Sequence, residues 1–463
     1  MAQFRYRSLD DLREDIDARG HVIGVADELR RIAEPVRIGG LVASNRMAVH
    51  PMEGCDGSLD GTPGELTFRR WRRFAQGGAA LLWGEATAVV PEARANPRQL
   101  LISTKTAPEL KRLLDETRAA RRDRFGTDYG FIVGLQLTHS GRWSHAAPIV
   151  AHRGGAIEAV RSSRRVISDG ELEQLEARFV DAALLARDIG FDFVDVKQCH
   201  TYLLNELLGA RSRDGRYGGD SEGRTRFVRS VFAKIRDRAG ASLVLATRMN
   251  AYDGVPFRAG HDGVGEPVAV PSPYADAWGV DAADPSRADA SEPLRLIGEL
   301  RKLGLALLNV SAGSPYYNPH IGRPFDRPPV DGYLSPEHPL AGVERHQRLT
   351  GEIQRSYPDL PVIGTGYSWL RHFALNAAET SIDAGNVTMV GLGRGALAYP
   401  DFALDALTLG RMERDRACIG VSYCTALMRA KHNDLGQYAT GCVPRDRLYA
   451  GSFKEAERTE GWR

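Results

Sequence analysis

Eight short apolar runs, each followed by a stretch with helical punctuation, constrain the fold of this chain more than any other feature. They lie at Met47–Pro51, Ala79–Gly84, Phe131–Leu137, Asp192–Val196, Leu243–Arg248, Ala306–Ser311, Pro361–Thr365 and Val387–Leu392. Several are apolar throughout, as strands covered on both faces should be. Between them, Ser168 and Glu171 have capping-box spacing ahead of an apolar face (Leu172, Leu175, Phe179, Ala182, Ala186), and Gly190 marks a stop. Thr106–Glu109 repeats the capping signature, and Glu222–Asp237 carries Phe227, Val228, Val231 and Ile235 on one side. Eight strand-then-helix alternations predict a parallel sheet with helical crossovers, and the count favours a closed (β/α)8 TIM barrel over an open doubly wound sheet.

That architecture overrides simple arithmetic. A length of 463 residues suggests three domains of roughly 150 residues, but an enlarged barrel absorbs it as one unit. The predicted organisation is an N-terminal arm over residues 1–40, a barrel over 41–410 with a long insertion at about 251–291 after the fifth strand, and a C-terminal extension over 411–463.

Sixty-one Lys and Arg against 59 Asp and Glu leave +2, so charge balance does not argue for nucleic acid or an anionic membrane, and neither is expected as a partner. No apolar run approaches the roughly 20 residues of a membrane span, and the first residues lack a signal-peptide core, so a cytoplasmic protein is expected. The basic run Arg69-Arg70-Trp71-Arg72-Arg73 is expected to be a solvated helix face. Cys55, Cys199, Cys418, Cys424 and Cys442 are odd in number and fit neither a disulfide scaffold nor standard zinc spacing, so no metal is expected. The expected partner is a small-molecule substrate, with assembly into a homo-oligomer left open.

In a barrel, reactive groups belong just after each strand, at the C-terminal rim. Lys197, His200 and Tyr202 follow the fourth run and form the densest ionisable group at any strand end. Lys and His can donate to a substrate oxygen and Tyr can deliver a proton; a surface Lys with a structural His is the plainer alternative. Gly364-Thr365-Gly366 ends the seventh run and Gly391-Leu392-Gly393-Arg394-Gly395 the eighth. Glycines there let backbone N–H groups approach a phosphate, to which Arg394 adds charge. Plain tight turns are the alternative. The same stretch also fits a G-x-G-x-x-A dinucleotide fingerprint, but that motif belongs to the first strand of its unit.

These positions resemble the old yellow enzyme family of FMN-dependent oxidoreductases, from about Ile38 to Asp401. The similarity runs through Asn45-Arg46 and Pro51-Met52, Gly77-Gly78, Glu85-Ala86-Thr87, and Gln136-Leu137 with His139-Ser140-Gly141-Arg142. It continues through Tyr202-Leu203-Leu204-Asn205, Tyr217-Gly218-Gly219, Arg224-Thr225-Arg226-Phe227 and Gly393-Arg394. The resemblance implies FMN at the barrel mouth and NAD(P)H as reductant. Pro51, Glu53 and Ala86 would contact the isoalloxazine edge and Gln136 and Arg248 its pyrimidine side. Gly366, Tyr367, Gly393 and Arg394 would hold the phosphate. Two departures stand out. Lys197 occupies a position that is usually His, and Glu53 one that is usually Thr or Cys. Cys418-Ile419-Gly420 resembles the start of the iron–sulfur motif of the dienoyl-CoA reductase branch, but Val421 replaces the next ligand, so no iron–sulfur cluster is expected.

The leading expectation is therefore hydride transfer from reduced flavin to a carbonyl-conjugated alkene. Lys197 and His200 would polarise the carbonyl and Tyr202 would supply the proton. A flavin-dependent amine dehydrogenase or N-demethylase, with Glu53 binding the amine, is an alternative. So is a non-redox lyase or aldolase using Lys197 as a Schiff base. A non-catalytic binding protein is the bland remaining option. The loop with Pro315, Tyr316, Tyr317 and His320, together with Ala251–Ser291, is expected to cover the site.

Overall fold

The computed structural model describes residues 4–153, 164–430 and 437–461. Eight parallel strands close into a barrel: β1 (Met47–Val49), β2 (Leu81–Ala88), β3 (Ile132–Thr138), β4 (Phe193–Val196), β5 (Val244–Tyr252), β6 (Leu305–Ala312), β7 (Val362–Gly364) and β8 (Met389–Leu392). Each strand pairs with its sequence neighbours, and β8 returns to β1 through Gly391↔Ala48. All eight apolar runs are strands. β2 and β5 extend further toward the rim than the runs that announced them, and in β2 the added Glu85 is held by Arg70 and Trp71 of the helix Glu65–Gln76.

The helices outside the wall are α1 (Glu65–Gln76), α2 (Ala107–Phe125), α3 (Asp169–Ile189), α4 (Ser221–Ala239), α5 (Ser291–Lys302), α6 (Pro339–Ser356), α7 (Ala374–Asp383) and α8 (Phe402–Leu409). α3 starts on the predicted capping box, with Ser168 accepting from the Glu171 backbone and Glu171 returning the bond, and it ends at left-handed Gly190. α2 departs from expectation. Thr106 makes no side-chain cap; its hydroxyl instead donates to the Leu101 carbonyl, and Ser103 accepts from the Thr106 N–H. α4 is capped by Asp220, which accepts from Gly223 N–H at 2.8 Å.

Strand periodicity of two builds the interior and the site together. Ala48, Leu81, Trp83, Ile132, Phe193, Ala246, Leu307, Ile363 and Met389 fill the lower barrel, where Trp83 and Phe193 meet edge to face at 4.9 Å. The antiparallel hairpin Val36–Ile38/Leu41–Ala43 plugs this end with Ile38 and Ala43. The alternate residues Val49, Val133, Leu135, Val194, Val196, Leu245 and Val310 pack outward in the shell beneath the helices. Continuing the inward set toward the rim gives His50, Gln136, Asp195, Lys197, Arg248, Asn309, Thr365 and Gly391. The face that makes the core below thus supplies polar groups above.

Three further parts shape the rim. Beyond β5 the chain makes a hairpin (Phe257–Ala259/Gly265–Pro267), anchored by fully buried Trp278, whose indole N–H donates to the Asn250 carbonyl at 3.0 Å. The C-terminal helices α9 (Tyr423–Arg429) and α10 (Ala450–Glu460) share a small core with Tyr438 and Tyr449. This extension is tied to the rim by Thr440 N–H to the Gly54 carbonyl at 2.7 Å and by Arg98 to the Gln437 carbonyl at 2.6 Å. The basic run on α1 is not merely solvated. Arg70 is buried between Asp56 and Glu85, Arg69 and Arg73 both meet Asp446, and Arg72 meets Glu116. No helix among the described residues is long and apolar enough to cross a membrane.

Candidate active site

A cavity of about 920 Å³ opens at the C-terminal rim. Pro51, Glu53, Ala86, Gln136, Lys197, His200, Tyr202, Arg248, Gly366, Gly393 and Arg394 all line it. Tyr367 does not. Its ring is buried behind the wall, and its hydroxyl is drawn to Ser381 and Gln347. The expectation that Tyr367 joins the phosphate loop is therefore corrected for its side chain, because the left-handed turn at Gly366 (φ +97°) carries the chain out of the cavity.

At one end of the cavity the walls are glycines and guanidinium groups. A Cβ on Gly391 would lie 2.4 Å from the His50 ring, and one on Gly366 2.7 Å from His346, so the strand ends are held at close approach. His50 itself bridges Asn309 at 3.0 Å and Thr365 at 2.7 Å. Arg394 donates to the Pro324 carbonyl at 2.6 Å, but its Nη1 finds no partner among the described residues. Arg323 donates to Thr425 at the 2.5 Å limit of a normal bond, while its Nε and Nη2 remain unpartnered. Burial and the neighbouring Arg394 and Arg429 press Arg323 down to about 9. Among the described residues neither cation closes an ion pair, and Asp331, the carboxylate that acts on Arg323, is itself paired with Arg429, an arrangement suited to an anion.

In the middle, Asp195 organises the floor. It accepts from Gln136 at 2.6 Å, from the Trp83 indole at 2.8 Å and from the Arg248 N–H at 2.7 Å. Burial lifts its carboxyl to about 6 against the pull of those donors. Arg248 lies above it with Nε unpartnered.

The opposite end is built from ionisable side chains. His200 and Thr201 are both left-handed (φ 67° and 58°), an uncommon conformation for non-glycine residues and concentrated here at a candidate site. Asn205 holds that turn by accepting from Thr201 N–H at 2.7 Å, and Asp253 holds Asn205 at 3.1 Å. His200 Nε2 lies 3.0 Å from the Ser311 hydroxyl, and burial keeps the imidazole neutral. Lys197 Nζ sits 3.6 Å above the centre of the Tyr202 ring. Burial lowers its pKa and raises that of Tyr202, whose hydroxyl is 3.4 Å from that of Tyr316. Tyr316 stacks on Trp143 at 3.8 Å. Glu53 is hydrogen-bonded by Asn96, and burial pushes it up to about 7.

Several lining residues had no role in the sequence reading. His50 follows from the strand period, being two residues beyond Ala48. Asn96, Trp143 and Arg323 come from loops whose course no periodicity reveals. Cys424, Thr425, Met428 and Arg429 come from the C-terminal extension. Burial raises the Cys442 thiol, and Cys418 and Cys424 push it in the same direction. Even so, among the described residues no group of three or more His, Cys, Asp or Glu is placed to hold a metal ion.

Fold and cavity together define a (β/α)8-barrel protein with an anion-ready end and an ionisable end at one rim. Residues 31–290 match the model of the NADH:flavin oxidoreductase / NADH oxidase family, and the chain belongs to that family. Among curated relatives, an NADPH dehydrogenase of Clostridium acetobutylicum is 29% identical over 230 residues, covering 48% of this chain and 65% of that protein. The chain thus spans under two thirds of the relative it matches there. Solved structures share the fold. A 2-naphthoyl-CoA reductase complex has a TM-score of 0.66 at 16% identity, covering 92% of this chain and 58% of that one. An old yellow enzyme homologue from Zymomonas mobilis has a TM-score of 0.59 at 19% identity, covering 83% and 95%.

Proposed function

We propose that the chain binds FMN at this rim, accepts reducing equivalents from NAD(P)H and reduces a carbonyl-activated alkene. The observation that carries this reading is the set of guanidinium nitrogens left without partners on Arg248, Arg323 and Arg394 along one cavity. None of the three has a carboxylate within ion-pair distance among the described residues. A phosphate dianion at Arg323 and Arg394 and a ring able to carry negative charge at Arg248 would supply the missing partners. The glycine walls at Gly366, Gly391 and Gly393 leave room that a Cβ would fill. The donor set therefore fits FMN, with Pro51 and Ala86 at the ring edge and Gln136 offering a hydrogen bond from a position fixed by Asp195.

When bound, FMN supplies hydride transfer, taking hydride from NAD(P)H and giving it to an electron-poor carbon. Lys197, unpaired and facing the cavity, donates to the substrate carbonyl oxygen. His200, oriented by Ser311, adds a second bond from its other ring nitrogen. Tyr202 holds the proton for the neighbouring carbon, with its hydroxyl positioned by Tyr316. Trp143 and Tyr316 give the substrate a flat apolar wall. Glu53 is what favours the second reading, in which an amine gives electrons to the flavin.

Anaerobic mixing tests both. Purified protein should be yellow, bleach with NAD(P)H and recover its colour with an enone such as cyclohexenone. Bleaching by an amine without NAD(P)H would reverse the assignment. A colourless preparation that FMN cannot reconstitute would remove both readings.

A further inference from the structure

Glu53 and Lys197 face one another across the ionisable end without closing an ion pair. Lys197 Nζ rests on the Tyr202 ring and has no hydrogen-bond or ion-pair partner among the described residues. Glu53 is bonded to Asn96, with Cys55 Sγ at 4.0 Å, and both residues line the cavity. The other charged and titratable groups near Glu53 are Glu85 on β2, Arg70 on α1 with its partner Asp56, Cys55 on its own loop, and Tyr202 and Tyr316 at the rim. Those near Lys197 are Cys199, Arg248, Asp195, His200 and Tyr202.

A buried ammonium without an anionic partner is the least satisfied charge in this arrangement. A ligand oxygen carrying negative charge would satisfy it, but would also bring a second negative charge toward Glu53. Like charges in one site cannot both persist, and the group already nearest its titration point yields. Burial holds the Glu53 carboxyl at about 7, so it is that group.

We propose that Glu53 takes up a proton whenever an oxygen anion settles on Lys197, so that this site selects substrates whose activating group is bound as an oxyanion, a carboxylate or an enolate-like oxygen, and rejects cationic amines. The proposal rests on the flavoenzyme reading above and narrows its substrate class. Its balance is simple: one anion and one solvent proton enter together, no covalent bond changes in the ligand, and nothing is oxidised. An amine would reverse the sign. Its charge would pair with Glu53 and drive a proton off Lys197. The direction of proton exchange therefore separates the two classes of substrate.

Benzoate, a permanently anionic probe, tests this in the flavin-loaded protein by titration calorimetry in buffers of different ionisation enthalpy. Proton uptake approaching one per benzoate is expected above neutral pH, with affinity falling about tenfold for each pH unit once Glu53 is ionised in the free protein. Glu53→Gln should still bind benzoate but without uptake and without that pH dependence. Lys197→Met should lose benzoate binding. The proposal is overturned by any of four results: no uptake in the unmodified protein, unchanged uptake in Glu53→Gln, no benzoate binding, or tighter binding of benzylammonium with proton release. Should Glu53→Gln fail to fold, infrared difference spectra of the unmodified protein decide instead. Benzoate must then produce the carbonyl stretch of a newly protonated carboxyl, and its absence counts against Glu53. A chain that retains no FMN defeats the flavoenzyme reading separately, and the same benzoate titration still reads the Glu53–Lys197 linkage.

Discussion

The two ends of the cavity are built on opposite principles. At the β7–β8 end, backbone does the shaping. Glycines bring strand ends into close approach, and Arg323 and Arg394 keep guanidinium nitrogens without partners. At the β4–β1 end, side chains do the shaping and mostly satisfy one another: His200 with Ser311, Tyr202 with Tyr316, and Glu53 with Asn96. Among the described residues, Lys197 makes no hydrogen bond or ion pair there. The first end is held ready for a constant anion, as a cofactor phosphate is. The second rests in an internally bonded state that a substrate must exchange for its own bonds. On the proposed reading, that difference would separate what holds a cofactor from what acts on a substrate.

The sharpest way to break the comparison is to remove chemistry from the second end alone. Tyr202→Phe should slow alkene reduction by about 10²–10³-fold, the worth of a positioned general acid, while flavin bleaching by NAD(P)H stays nearly unchanged. Stopped-flow measurement of the two half-reactions checks this, and equal loss in both would show that the ends are not independent. The first end is tested with Arg394→Ala. FMN affinity should fall about 10–100-fold, the range for one charge-assisted bond, while riboflavin, lacking the phosphate, binds as before. Fluorescence titration with both ligands reads the difference.

A smaller effect is expected from Gly366→Ala. The new Cβ would stand 2.7 Å from His346 on a backbone at φ +97°. Overpacking of this kind costs about 1–3 kcal/mol, visible as a lower Tm together with weaker FMN retention. The smallest is Tyr316→Phe, which removes the hydroxyl beside Tyr202. Alkene reduction should drop only severalfold, in line with about 0.5–1.5 kcal/mol for one hydrogen bond, with no change in FMN affinity.

Much of this molecule was legible in the sequence for a physical reason. Parallel strands buried on both faces read as continuous apolar runs, so β1 through β8 could be located before any coordinates. Residues at and just beyond the ends of those runs keep the strand's period, which is why Gln136, Lys197, Arg248 and Gly393 line the cavity. Other fragments of the family resemblance turn out to be architectural. Asn45 ties β1 to the start of β2 through the Gly78 carbonyl and the Met47 and Ala80 N–H groups, Arg142 meets Glu206, and Tyr217 meets Glu176. Within Gln136–Arg142, only Gln136 faces the cavity. The side chain of Tyr367 leaves the cavity because one left-handed residue, Gly366, turns it out, and short-range spacing carries no trace of that.

The sequence by itself determined the barrel, its strand order and the strand ends at which ionisable and glycine residues gather, because alternation and apolar continuity are local properties. Only the tertiary structure decided which charges are left without partners. Arg70 looked solvated and is buried between Asp56 and Glu85. Lys197 was marked by its strand-end position, but that it stands over the Tyr202 ring without a hydrogen-bond partner among the described residues is visible only in the structure. The C-terminal extension looked like an appendage, yet it walls the cavity with Thr425, Met428 and Arg429 because Thr440 docks on the loop after β1. Pairing and desolvation depend on groups brought together from distant parts of the chain, and no window of sequence contains both members of such a pair.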